Sequence, residues 1–408
     1  MTQIKTLVLK RPVNSIKVII TVLIIVGIVF SAWSASANAK YDGEVAGWIP
    51  WWQDTAGLKS ATKNIKKLNT VYPFVYEVDA SGTIIDKADL NEKQWNDFIK
   101  VAKKNKVRII PTNAWSDGEL IHDVLRDKKR RTDHIKKITD IVRKGGFDGI
   151  NIDYEQKKAK TIDDFSLFLK ELNRSLGKKL LTCAIEARTP AEDLYKVIPD
   201  PLVYANDYKE IARYCDQIEL MTYDQQRADI TLNQVNVGYP YVPVADQVWV
   251  EKVIKLALKD FPQNKVILGI PTYGRAWDVT VAPNWYRDYK SVSSLNMPRI
   301  LELSKKYQAT IGHNSGKEGT ISYFPENSIY KILATLPVAK NIQPGMENAS
   351  RALQFATLSG MEVSVRFITY SDAETVKAKL ALAQKYKLKG VTFFKIDGEE
   401  DQNIWKLF

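Results

Sequence analysis

The sequence is poor in the residues that build metal centres and covalent scaffolds. Its 408 residues include two cysteines, Cys183 and Cys215, and three histidines, His122, His134 and His313. Two cysteines exclude a disulfide-rich framework and leave two options, one bridge between neighbouring strands or a pair of buried thiols. The histidines lie far apart without ligand spacing, so no metal is expected. No glycine-rich phosphate loop follows the first strand-like run, which counts against a nucleotide-binding, open doubly wound sheet. No nucleic-acid motif accompanies the formal charge of +12, and no nucleic-acid partner is expected. Internal repeats and low-complexity linkers are also missing.

The chain does have enough apolar residues for a core. At 45% hydrophobic, it is long enough for one large barrel or two ordinary domains. Near the N-terminus, Lys5, Lys10, Arg11 and Lys17 precede an uncharged apolar run from Val18 to Trp33, and Ala37-Asn38-Ala39 follows as a small-residue cleavage site. Residues 1–39 thus have the form of a secretory signal peptide. The alternative is an uncleaved anchor, since about 16 apolar residues lie near the lower limit for crossing a bilayer. The first 39 residues hold four Lys/Arg and no Asp/Glu, so the remainder keeps a charge of +8. An exported basic chain is expected at a cell wall or an anionic membrane surface; a monomer is expected.

From Val45 onward, strand-like and helix-like segments alternate. Strands are expected at Val45–Trp51, Thr70–Val75, Val107–Thr112, the stretch from Gly149, Leu180–Ile185, Gln217–Met221, Lys265–Ile270 and Gly390–Phe394. Helices are expected at Leu58–Leu68, Asn91–Asn105, Lys128–Lys144 and Thr161–Leu176. Eight strands with helical crossovers predict an α/β fold, the closed (β/α)8 barrel. Between about residues 277 and 367 the pattern turns irregular and aromatic, and a small α+β insertion is expected there, between strands 7 and 8. Residues 40–408 then form one domain.

The rest is organised around Gly145-Gly146-Phe147-Asp148-Gly149-Ile150-Asn151-Ile152-Asp153-Tyr154-Glu155. Two glycines end a helix, and polar and apolar residues then alternate as in a buried strand. Asn151, Asp153 and Glu155 share one face, while Ile150, Ile152 and Tyr154 share the other. Carboxylates two residues apart, about 6.5–7 Å at the backbone, do not both ionise comfortably. One therefore holds a proton at neutral pH and is suited to general acid catalysis. The Asn151 amide is expected to donate a hydrogen bond to Asp153.

This stretch resembles the D-G-x-D-x-D-x-E signature of family 18 glycoside hydrolases. Asp148, Gly149, Asp153 and Glu155 match, and Asn151 stands where Asp is usual. With Tyr before the Glu, that departure is closer to spore-cortex and peptidoglycan-lytic N-acetylglucosaminidases than to chitinases proper. Met221-Thr222-Tyr223-Asp224 resembles the family's M-x-Y-D, and Gly269 to Arg275 resembles G-x-P-x-Y-G-R. Gly390 to Gly398 resembles its closing strand, with Phe394 in the place of a Trp.

The resemblance implies hydrolysis of a β-1,4-linked, N-acetylglucosamine-containing polysaccharide, with peptidoglycan ahead of chitin, by retaining, substrate-assisted catalysis and without an organic cofactor. Glu155 is then the acid and base, Asp153 orients the acetamido N–H, and Tyr223 bonds the acetamido carbonyl. Asp224 holds the sugar, Phe394 floors it, and Met221 and Asn151 belong to the binding set. Trp51, Trp115, Glu186 and Trp277 are expected to line the cleft. The alternative is a carbohydrate-binding, lectin-type protein on the same barrel, which usually lacks the acid.

Overall fold

The computed structural model describes residues 41–408; the expected signal peptide or anchor lies outside the described residues. Eight parallel strands form the barrel: β1 (Glu44–Pro50), β2 (Thr70–Val78), β3 (Arg108–Ile109 and Thr112–Trp115), β4 (Gly149–Tyr154), β5 (Leu180–Glu186), β6 (Gln217–Met221), β7 (Val266–Pro271) and β8 (Gly390–Phe394). Each pairs with its sequence neighbour, and β1 pairs with both β2 and β8, so the sheet closes. β3 runs further than the sequence pattern implies and is broken at Pro111, which has no N–H for the ladder.

Helices cover the outside because their apolar faces recur every three to four residues. Lys128–Lys144 buries Ile135, Ile138 and Val142, and Ile162–Leu176 buries Phe165, Phe168, Leu169 and Leu172. The lumen fills in layers. Arg108 and Gln217 both donate to Glu44 at the N-terminal end. Trp48, Tyr72, Thr112, Asn151, Thr182 and Glu219 form a buried polar layer above them, and Asp153, Met221, Tyr223 and Phe394 come next. Gly149 is required by close approach: a Cβ there would lie 2.2 Å from the Leu180 carbonyl oxygen of the next strand.

The insertion is a five-stranded antiparallel sheet, in spatial order Trp285–Leu295, Gly274–Ala282, Val363–Tyr370, Gly319–Tyr323 and Gly312–His313. Helix Glu347–Ser359 covers one face and helix Met297–Lys306 the other, giving two separate apolar cores. Glu318 fixes the insertion to the loop after β6. Its Oε1 accepts the backbone N–H groups of Val244 and Ala245 at 2.9 and 2.7 Å.

Cys183 on β5 and Cys215, just before β6, form a disulfide. This resolves the choice between a bridge and free thiols.

Candidate active site

Strand parity decides which groups enter the lumen. Thr112 and Ala114 lie opposite Asn151 and Asp153, whereas Asn113 and Trp115 lie opposite Ile152 and Tyr154. Trp115 therefore faces the helix layer, where it packs edge-on to Tyr154 and against His134. The expectation that it lines the cleft is corrected: an odd offset along β3 puts it on the other face. Asp148, the first acid of the signature, accepts the Ile109 N–H at 2.7 Å and so sets the register of β4 against β3.

Asp153 is buried, and its Oδ1 has no hydrogen-bond partner among the described residues. Burial, then the charges of Glu155 and Glu186, raise its carboxyl well above the usual range, and Lys157 opposes them. Glu155 lies one residue past β4 and is partly exposed; its backbone N–H donates to the Trp115 carbonyl at 2.8 Å. Its own carboxyl is raised by burial first and by Glu186 second, with Lys157 again opposing. The buried Lys157 ammonium lies 3.5 Å from Glu186 Oε2. Burial lowers its pKa against the pull of the surrounding carboxylates.

The ends of β6, β7 and β8 supply the opposite wall. Tyr223 stacks on Phe394, with ring centres 5.4 Å apart. Gly269 makes room for this ring, because a Cβ there would come within 3.0 Å of it and 2.4 Å of the Leu220 carbonyl. Burial, then Asp153, Tyr273 and Glu155, hold the Tyr223 hydroxyl far above its ordinary pKa. It is therefore a neutral donor at any working pH. Asp224 has a left-handed backbone (φ 54°) and is gripped by Arg275 through two bonds of 2.9 Å.

Phe394 precedes a cis peptide and touches the rings of Trp48, Phe74 and Tyr273. It stays half-buried and, with Trp52, Tyr273, Arg275 and Asp397, lines a 320 Å³ cavity. Met221 lies below, packed with Trp48, Tyr72 and Ala184. Glu186 stands at the end of β5 and accepts from Asn206 at 2.8 Å.

Three further sequence expectations change in detail. Asn151 does not bond Asp153: its amide N–H groups go to Thr182 at 2.8 Å and Glu219 at 3.0 Å, and its oxygen accepts from Thr112. It is fully buried, so its influence on substrate is indirect. Trp277 sits inside the insertion, packed with Val279, Phe367 and Ala349, because its strand presents that face to helix Glu347–Ser359. Trp51 is half-buried and donates to Glu77 at 2.7 Å; its neighbour Trp52 is the exposed ring at the cavity.

Glu219, Lys157 and Trp52 were not expected at the site, and Arg275 was expected only as the end of a motif, without a role. Glu219 is fully buried, with Tyr72 donating to Oε1 at 2.7 Å and Asn151 to Oε2. Desolvation outweighs these bonds and pushes its pKa up to about 8. Its signal was its parity with Met221, two residues on.

A closed barrel with paired acids at the end of its fourth strand, facing an aromatic floor, defines a glycoside hydrolase. The pattern of the glycosyl hydrolases family 18 matches residues 30–399, and the chain belongs to that family. Over 400 residues it is 24% identical to the uncharacterized glycosylase YvbX of Bacillus subtilis, covering 95% of this chain and 96% of that protein. The spore cortex-lytic enzyme SleL of Bacillus cereus superposes with a TM-score of 0.65 at 17% identity, over 90% of this chain and 74% of its own. The C-terminal domain of a putative chitinase from Desulfitobacterium hafniense gives 0.66 at 20% identity, over 90% and 98%. At these identities the structural likeness shows the fold.

Proposed function

We propose that this chain is an exported, endo-acting β-N-acetylglucosaminidase that cleaves peptidoglycan ahead of chitin, by retaining, substrate-assisted catalysis. The observation that carries this reading is the unpartnered Oδ1 of Asp153, buried beside Glu155. A buried carboxyl oxygen without a donor is costly, and a substrate acetamido N–H is the donor it lacks.

The acetamido oxygen attacks C1 while the protonated Glu155 carboxyl delivers its proton to the departing glycosidic oxygen, and the C1–O bond breaks. Asp153 accepts the N–H and balances the positive charge of the cyclic oxazolinium, while the Tyr223 hydroxyl donates to the acetamido oxygen. The Glu155 carboxylate then takes a proton from water, whose oxygen opens the ring at C1 on the face that the leaving group vacated. Asp224, held by Arg275, and Phe394 orient the sugar.

Asn151 in place of Asp and the basic exported chain support the wall polymer, as does the likeness to SleL. The Cys183–Cys215 bridge supports an oxidising compartment outside the cytoplasm. The test is digestion of purified sacculi and chitin oligomers with the full chain, followed by identification of the new reducing end. N-acetylglucosamine at that end is expected. Muramic acid there, or binding without cleavage, would overturn the reading.

A further inference from the structure

Outside the cleft, the excursion between β5 and helix Tyr208–Tyr214 walls a groove of 690 Å³ against the loop that follows Glu155. Arg188 stands in it between two rings, 3.7 Å from the centre of Tyr204 and 4.1 Å from that of Tyr208. Contact with both rings and a backbone hydrogen bond restrain the guanidinium, so its N–H groups are aimed before anything binds. One of them donates to the Asn206 carbonyl at 2.9 Å. Two acids also line the groove. Asp207 is turned to the N–H groups of Lys209 and Glu210, and Asp260 lies beyond ion-pair distance of Arg188. Arg188 is thus an oriented cation without an ion pair among the described residues. Beside it lie Leu202 and Val203, the latter 61% exposed.

A single residue, Asn206, links this groove to Glu186 at the end of β5. Asn206 holds Arg188 through its backbone carbonyl and donates through its side chain to Glu186, whose Oε2 also meets Lys157. The groove is thereby tied through Glu186 to the charge that acts on Glu155. Linear chitin has no branch or carboxylate to place there. Peptidoglycan carries an amide-linked peptide on alternate sugars, with alkyl side chains and free carboxylates.

We infer that the groove receives the peptide branch of a glycan strand bound in the cleft, with Arg188 pairing a branch carboxylate and Leu202, Val203 and Tyr204 taking its alkyl side chains. This rests on the wall polymer being the substrate. It makes Arg188 a specificity-determining residue remote from the bond that is cut.

Calorimetric titration of the full chain carrying Glu155→Gln, which slows turnover, tests it with three ligands: a peptide-bearing muropeptide tetrasaccharide, the same glycan stripped of peptide by an amidase, and chitotetraose. The peptide-bearing glycan should bind at least tenfold more tightly than the stripped one, the scale of one charge-assisted hydrogen bond. Adding Arg188→Ala should erase that margin and leave chitotetraose binding within twofold. Arg188→Lys, which keeps the charge and loses the planar stack, should retain part of it and guards against a folding defect. Equal affinity for the two wall glycans, or an equal loss for all three ligands on Arg188→Ala, overturns the groove assignment and leaves the glycosidase reading standing. Binding of chitotetraose alone overturns the wall-polymer reading and the groove assignment together.

Discussion

Glu219→Gln should make the protein more stable at neutral and alkaline pH while changing nothing in acid. Glu219 has no exposed surface, and its carboxyl is raised from 4.5 to about 8 in the folded chain. Between those values the native state holds a proton that the unfolded state has lost, so stability falls by about 1.4 kcal/mol per pH unit. The sign follows from a raised acid: its contribution is complete below the unfolded pKa and disappears as pH rises through the folded one. Across the whole interval the loss amounts to about 5 kcal/mol. Like the protonated carboxyl, Gln accepts from Asn151 through its oxygen and donates to the Tyr72 oxygen once that hydroxyl turns its hydrogen toward Gln217, but it cannot ionise. Urea unfolding followed by tryptophan fluorescence, with the disulfide intact, should give matching stabilities near pH 4.5. The variant should then gain steadily to about pH 8. Parallel curves across that range would refute the claim that this acid is buried with its proton.

Glu155→Gln should lower turnover by about 10² to 10⁴ with unchanged circular dichroism; activity within threefold of the parent would remove Glu155 from the chemistry. Lys157→Met removes a charge that pulls down both Glu155 and Asp153, so the basic limb of the kcat/KM profile should move to higher pH, and an unmoved limb would contradict the coupling. Asn151→Asp replaces the amide facing Glu219 with an oxygen and should cost about 1–3 kcal/mol. Combining it with Glu219→Gln restores one amide and one acid and should recover most of that loss at about pH 4.5, where Glu219→Gln alone changes nothing, whereas an undiminished loss in the double mutant at that pH would refute the pairing. Phe394→Trp should tighten oligosaccharide binding if the half-buried ring floors the cleft; loss of binding together with about 1–3 kcal/mol of stability would show overpacking instead.

The barrel was legible because each strand announces itself locally. Gln217–Met221 and Gly390–Phe394 have the expected ends, as does the helix Lys128–Lys144. What was not legible depends on register between strands. The side of β3 that carries Trp115 is known only once Trp115 is set opposite Tyr154, and Trp277 is buried by a helix about 70 residues later in the chain. The same limit hid the partner of Asn151. Alternation put its side chain in the lumen, but a lumen is shared by eight strands, and Glu219 on β6 takes the amide that Asp153 was expected to have. The Asp153 and Glu155 pair needed no such knowledge, since two residues on one strand always share a face.

The Cys183–Cys215 bridge closes a loop across 32 positions of sequence, and a closure of that length is worth about 4 kcal/mol in the chain-entropy account. Its two ends sit at the strands that present Glu186 on one side and Tyr223 on the other. Everything between β5 and helix Tyr208–Tyr214 hangs from this staple. Changes of length or composition inside the excursion that spare Asn206, the partner of Glu186, leave the bridge between the two strands in place. The barrel can therefore keep its acids still while descent rewrites the neighbouring wall, and new substrates become reachable through an exchangeable cassette instead of through a rebuilt catalytic centre.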